Sequence, residues 1–137
     1  MKINVRELEE RDINFIADYW LNSDPDFLIG MGVNLEKLPK REFFTTMLMS
    51  QINLPIEEKK SYALIWEIDN VQVGHSNVNA IEFGKQAKMH LHLWDFKNRK
   101  KGTGSELVRK SLPFFFENLQ LEKFIEVEQF ELANPNE

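Results

Sequence analysis

The stretch that most narrows the fold is Arg99-Lys100-Lys101-Gly102-Thr103-Gly104-Ser105, which stands between a strand-like run, Met89 to Trp94, and a helix-like run, Ser105 to Leu119. Glycines at 102 and 104 let the backbone turn until consecutive N–H groups face one point. The helix that follows adds its own unpaired N–H groups and the positive end of its dipole. Such a turn is a candidate anion site. Lys97, Arg99, Lys100, Lys101, Arg109 and Lys110 gather around it, a basic island in a chain of net charge -5. Taken alone, that island reads equally as a solvated charge run.

The elements on either side fix where the turn sits. Ile3 to Leu8 alternates as a strand, and Arg11 to Asn22 places Ile13, Ile16, Ala17, Trp20 and Leu21 on one helical face. Asn22-Ser23-Asp24-Pro25 stops that helix. Phe27 to Val33, punctuated by Gly30 and Gly32, reads as an ordered loop, either lining a pocket or buried as a connector. A second helix is expected from near Leu38, with Pro39 in its first turn, an inward stripe of Phe43, Phe44, Met47, Leu48 and Ile52, and Pro55 closing it. Ser61 to Asp69 and Val71 to Val78 read as a hairpin around Asp69-Asn70. After Gly84-Lys85, Ala87, Met89, Leu91 and Leu93 alternate with Lys88, His90, His92 and Trp94, which puts both histidines on one face of a third antiparallel strand.

Beyond the turn, Leu107, Val108, Leu112, Phe115, Phe116 and Leu119 make an apolar helical stripe, with a kink expected at Pro113. Leu121 to Val127 then reads as one more strand. Strand, helix, strand implies a right-handed crossover and a parallel pair. The fold class is therefore α/β (α+β), a mixed sheet in the order strand, two helices, three strands, helix, strand. The 137 residues fit a single domain, 1–137.

Composition removes several function classes. With 42% hydrophobic and 28% charged residues the chain is globular, and without cysteine it has no disulfide, thiolate metal site or thiol nucleophile. No window approaches the ~18 apolar residues of a membrane span, and the N-terminal residues lack a signal-peptide core. A cytoplasmic protein without membrane attachment is expected. The acidic balance argues against general nucleic-acid binding.

Three phosphate-binding patterns compete for the turn. A Walker A loop needs four residues between its glycines and then Gly-Lys-Ser/Thr, and a dinucleotide fingerprint needs a small residue where Leu107 stands. Neither fits. Arg99-Lys100-Lys101-Gly102-Thr103-Gly104 resembles instead the acyl-CoA pyrophosphate loop of the GNAT superfamily of N-acetyltransferases, whose pattern is Gln or Arg, two residues, Gly, one residue, Gly or Ala. The order of elements from residue 3 to about residue 128 is similar to that family's layout. The strand His90-Leu91-His92-Leu93-Trp94 and the helix Lys110-Ser111-Leu112-Pro113-Phe114-Phe115-Phe116 also resemble a bacterial subgroup of it.

The resemblance implies acetyl-CoA as co-substrate, its pyrophosphate on the N–H groups of Lys100, Lys101, Gly102, Thr103, Gly104 and Ser105, with charge from Arg99, Lys100 and Lys101. Its pantetheine arm would pair with the backbone of Leu93, Trp94 and Asp95. The reaction implied is transfer of acetyl to a primary amine. That needs a proton acceptor, and His92 first and His90 second lie on the strand expected to flank the thioester, with His75 a weaker choice. A backbone N–H on the strand ending at Trp94 is the expected oxyanion donor. Ser76, Asn77 and Asn79 would orient the amine, and Glu67, Glu82 and Asp95 would suit a cationic one.

The C-terminal region departs from the family. Phe130 stands where such enzymes often carry a proton-donating tyrosine, and only a short tail holding Asn134 and Asn136 follows. Two functions stay open: an active N-acetyltransferase, or a CoA-binding or interaction module that has lost catalysis. A histidine metal site built on His75, His90 and His92 is a remote third, and no metal is expected. An exposed edge on the last strand implies a homodimer through it.

Overall fold

The computed structural model describes residues 2–94, 103–122 and 126–129. The chain divides into two compact units, Met1–Glu7 with Leu54–Glu137, and Leu8–Asn53.

Among the described residues the first unit holds a five-stranded sheet, the 3-10 turn Ile56–Glu58 and one α-helix. Strands β1 (Ile3–Glu7), β2 (Tyr62–Ile68), β3 (Val71–Glu82), β4 (Gln86–Leu93) and β5 (Glu126–Gln129) lie in sequence order. The first four pair antiparallel, and β5 lies parallel to β4 from Lys88↔Glu126 to Leu91↔Gln129. The parallel pair follows the crossover expected from the sequence. Asp69 and Asn70 both take positive φ, 51° and 67°, which matches the right-handed twist of a two-residue hairpin.

Alternation sorts the sheet into two faces. One carries Tyr62, Leu64, Trp66, Val78, Met89, Leu91 and Leu93, which close a core with Leu107, Phe115 and Leu119. Leu107 and Phe115 sit on the helix between β4 and β5, and Leu119 directly follows its end. Each such side chain contributes about 1.5–3 kcal/mol on burial. The opposite face carries Arg6, Glu67, His75, Asn77, His90, His92 and Trp94, as the register pairs Arg6↔Ile65, Ile65↔His75, His75↔His92 and Asn77↔His90 require.

Backbone approach between β3 and β4 depends on Gly74. It pairs with Leu93, and a Cβ there would stand inside van der Waals contact of the His92 carbonyl oxygen and 3.1 Å from the Leu93 Cα. The β-bulge on β2 and β3 beside Trp66 and Glu67 adjoins this point.

The joining helix, Thr103–Asn118, continues through Pro113, which is exposed, as is Arg109, whose carbonyl loses its usual donor. Inside the helix Ser111 meets its polar needs twice over: Trp66 Nε1 donates to its Oγ at 2.9 Å, and the Oγ donates to the Leu107 carbonyl at 2.7 Å. The helix ends with Gln120 in the left-handed region (φ 51°) and the Leu121 N–H on the Phe116 carbonyl. Leu121 and Glu122 are thus used for the helix end and, through Glu122 N–H to the Lys85 carbonyl, for the β3–β4 turn. That is why the last strand is Glu126–Gln129 and not Leu121 to Val127.

The second unit holds α1 (Ile13–Asn22), α2 (Pro25–Gly30) and α3 (Arg41–Ile52); the helix of the first unit is α4. The glycine-punctuated stretch expected as a loop is the helix α2. Asp24 caps it by accepting from the Asp26 N–H at 2.9 Å, Pro25 presets its first turn, and Gly30 and Gly32 fall at and beyond its end. α3 begins at Arg41 and not near Leu38, because Leu35–Lys37 closes its own 3-10 turn and Pro39 lies before the cap Lys40. Phe43 and Met47, expected inward, are exposed, while Leu48 is buried. Within this unit Arg41 reaches the Asp18 carboxylate at 2.8 Å.

Replacing Gly74 with Ala is expected to lower stability by about 1–3 kcal/mol, since the added methyl meets backbone and not a movable side chain. Urea unfolding of the two proteins checks this.

Candidate functional site

β4 ends at Leu93, and the site expected from the sequence is built around that end. The Trp94 N–H donates to the Val73 carbonyl at 2.8 Å, so it is consumed by the ladder to β3. Trp94 therefore does not supply the oxyanion donor. Alternation of the ladder puts the N–H and C=O of Leu93 on the other side of β4, the side on which β5 runs.

On the polar face three imidazoles come together. His75 and His92 pair across β3 and β4, with ring centroids 4.9 Å apart and planes inclined by 21°. His92 is 2% exposed and His75 3%. The Trp94 indole N–H donates to His75 Nδ1 at 2.9 Å, so that nitrogen carries a lone pair and the proton of the neutral ring is on Nε2. Burial first, and the neighbouring His90 second, push the His75 pKa down to about 3. His90 is half-buried, and its Nε2 lies 3.1 Å from the Asn79 Oδ1. Among the described residues no group of three or more His, Cys, Asp or Glu side chains is placed to hold a metal ion.

Neighbouring polar groups are largely committed. Asn77 accepts from the Ser61 hydroxyl at 2.7 Å, and Ser76 points to the core side, 3.4 Å from Ser111. Glu67, offered by the sequence as a partner for a cationic amine, accepts from Arg6 at 3.1 Å and Asn4 at 2.9 Å. It is occupied internally.

Of the anion loop, Thr103, Gly104 and Ser105 form the first turn of α4, with Thr103 and Gly104 buried and Ser105 exposed. Asp95, Arg99, Lys100, Lys101 and Gly102 lie outside the described residues, as do Phe130, Asn134 and Asn136. Two members of the basic island are spent on the helix itself: Arg109 pairs with Glu106, and Lys110 lies 4.0 Å from it. Those contacts hold the Glu106 carboxyl below its usual range.

With this geometry in view, the chain can be set beside known structures. Spermidine N-acetyltransferase from Vibrio cholerae, solved with CoA and spermine, matches 91% of this chain and 69% of its own at 17% identity and a TM-score of 0.71. The ribosomal L7/L12 α-N-protein acetyltransferase RimL, solved with CoA, matches 84% of this chain and 64% of its own at 15% identity and a TM-score of 0.64. A predicted acetyltransferase from Clostridium acetobutylicum, solved with acetyl-CoA, matches 98% and 86% at 13% identity and a TM-score of 0.61. The fold is GNAT-like. No family model matches the sequence, and no curated protein does.

Sequence reasoning named the histidines but missed Gly74 and the Trp94 to His75 bond. The alternation of β4 places His92 and Trp94 on one face, yet only the register against β3 brings His75 opposite them. The Gly74-His75 pair was the available signal, a glycine inside a strand marking close backbone approach.

His75 also makes a stability prediction. The unfolded chain takes a proton on this residue near pH 6.5, while the folded chain resists until about 3. The folded pKa is depressed, so the stability is fully present above pH 6.5 and is lost as pH falls through that window. His75→Asn should flatten the slope of unfolding free energy between pH 6.5 and 5 by up to about 1.4 kcal/mol per pH unit, measured by urea titration at each pH.

Proposed function

We propose that this protein transfers an acetyl group from acetyl-CoA to a primary amine, as a cytoplasmic N-acetyltransferase. The observation that carries the reading is the arrangement at the end of β4. There a strand whose Leu93 backbone faces the side of its parallel partner β5 precedes α4, whose first turn begins at the buried Thr103 and Gly104. In this reading Leu93, Trp94 and Asp95 meet the pantetheine arm. The pyrophosphate is held by Arg99, Lys100, Lys101, Gly102, Thr103, Gly104 and Ser105. Backbone N–H groups at a helix start bind such an anion without side-chain specificity.

The amine nitrogen attacks the thioester carbonyl carbon, the C–S bond breaks, and the amine proton leaves for an imidazole. A backbone N–H on the strand ending at Trp94 is the proposed oxyanion donor, and the Trp94 N–H itself is already given to the Val73 carbonyl. His92 is the first proton acceptor proposed and His90 the second. His90 has the better route to solvent, being half-buried where His92 is enclosed. The departing thiolate takes its proton from water. The neighbours named above act on spermidine or on a ribosomal protein's α-amine, which supports an amine acceptor as the class.

Thermal unfolding with acetyl-CoA at 100 times its dissociation constant should add roughly 2.7 kcal/mol of stability. Thiol release across a panel of amines then separates an enzyme from a binding module. No shift and no release would overturn the reading; a shift without release favours the module. His92→Ala is expected to abolish release and leave the shift in place.

The edge strand β5 is proposed to pair with a second copy, giving a homodimer. Light scattering at micromolar concentration should return twice the chain mass.

A further inference from the structure

We propose that His75 is a positioning residue of this site: its Nδ1 anchors the Trp94 indole and its ring face fixes the His92 imidazole, so that one buried side chain sets both the end of β4 and the proton acceptor. The proposal rests on the function argued above.

The geometry is specific. His75 lies opposite His92 in the register and diagonal to Trp94, within the reach of aromatic side chains across an antiparallel pair. The His75 and Trp94 ring centroids are 5.9 Å apart with planes inclined by 46°, the disposition of a hydrogen bond and not of a stack. An indole has one donor and no acceptor, so the bond fixes which way the ring turns and demands a lone pair on its partner.

Trp94 is thereby tied to β3 at two points, its backbone N–H on the Val73 carbonyl and its side chain on His75. The residue between His92 and Trp94 is Leu93, whose backbone faces the β5 side. Both flanks of Leu93 are held by His75, one by stacking and one by hydrogen bonding.

The same geometry argues against His75 as a base. Nδ1 is taken by the indole and Nε2 carries the ring proton, so no lone pair remains to accept a proton from an amine. A buried, neutral histidine that serves as an acceptor for one indole acts through its neighbours.

The test compares wild type with His75→Leu, His75→Asn, His75→Gln, Trp94→Phe and the His75→Leu/Trp94→Phe double variant. The readouts are circular dichroism, thiol-release kcat and KM, and the indole N–H resonances of 15N-tryptophan protein. Trp94→Phe assigns the signal of interest among the three tryptophans. His75→Leu is expected to lower kcat roughly 10- to 100-fold, as misplacement of reacting groups does, and to shift the Trp94 indole resonance and speed its exchange. His75→Asn places an amide oxygen near the position of Nδ1 and should restore the indole resonance and the part of kcat that depends on it, leaving only the loss of the stack on His92. His75→Gln carries its oxygen too far along and should not. The double variant should be no slower than Trp94→Phe by more than the loss of the His92 stack.

Wild-type kcat and an unmoved indole resonance in His75→Leu would overturn the proposal. Equal activity of the Asn and Gln variants would also overturn it, and this comparison stands even where His75→Leu fails to fold. Absence of turnover in the wild type overturns the functional reading instead, and the indole resonance then judges the anchor by itself.

Discussion

The approach of β3 to β4 at Gly74 is the constraint on which the site depends. A strand pair is held at its usual spacing by hydrogen bonds, but here a backbone carbonyl of His92 lies where any other residue at position 74 would project a Cβ. The bulge beside Trp66 and Glu67 shifts the pairing of β3 with β2 at the same place, while β3 and β4 keep one register from Gly74↔Leu93 to Asn79↔Lys88. In that register Val73 accepts from Trp94, His75 lies opposite His92, and Trp94 is in diagonal reach. Without the close approach, the polar face would carry the same residues in a different relation.

The two faces of the sheet solve opposite problems with adjacent residues. Ser76 and Trp66 turn inward, and their polar atoms are satisfied by one hydroxyl, Ser111, on α4. His75, one residue away, turns to the other face and must be buried without charge. Desolvation favours the neutral ring, a second imidazole nearby favours it further, and the indole N–H uses the lone pair that neutrality leaves. On this face the Glu67 carboxylate accepts from Arg6 and Asn4, which commits it to β1. At the far edge of the core, Tyr62 donates to Glu7 at 2.7 Å and accepts from Asn118 at 2.8 Å, which pins β1, β2 and the end of α4 together. Burial raises the pKa of that phenol, consistent with its role as a neutral connector.

Much of this architecture was readable from the residues, and the failures have local causes. The alternation of Ala87 to Trp94 is strict, so the strand and the shared face of His90 and His92 followed from it. The helix stripe from Leu107 to Leu119 gave the crossover and the parallel pair in the same way. The helix α2 is hidden in the sequence because Gly30 and Gly32 resemble breakers of a segment that they only terminate, and because Asp24-Pro25, which stops α1, is also the cap of α2. On α3, Phe43 and Met47 fit a helical period without facing inward, because periodicity reports a face and not what covers it. β5 was displaced because Leu121 is apolar for the sake of a helix end. Register is legible only beside the Asp69-Asn70 turn, where Ile68 meets Val71; further along, bulges shift it, and a bulge is decided by pairings distant in the chain.

The division between binding and chemistry follows from which parts use backbone and which use side chains. A pyrophosphate held by N–H groups at the start of a helix constrains glycine and the turn, and leaves almost every other residue free to change. Under the proposed function, a pantetheine arm running along the end of β4 would constrain only the direction in which a peptide points. Such a site persists in a fold whose sequence has drifted far, because what must be kept is geometry that many sequences support. The polar face of β3 and β4 is different: an indole, two stacked imidazoles and a glycine that permits their approach form a set in which each member needs the others. Under the proposed function, whatever is particular to the acceptor and to the amine proton belongs to that set, and the holding of a thioester belongs to the strand end and the helix beyond it.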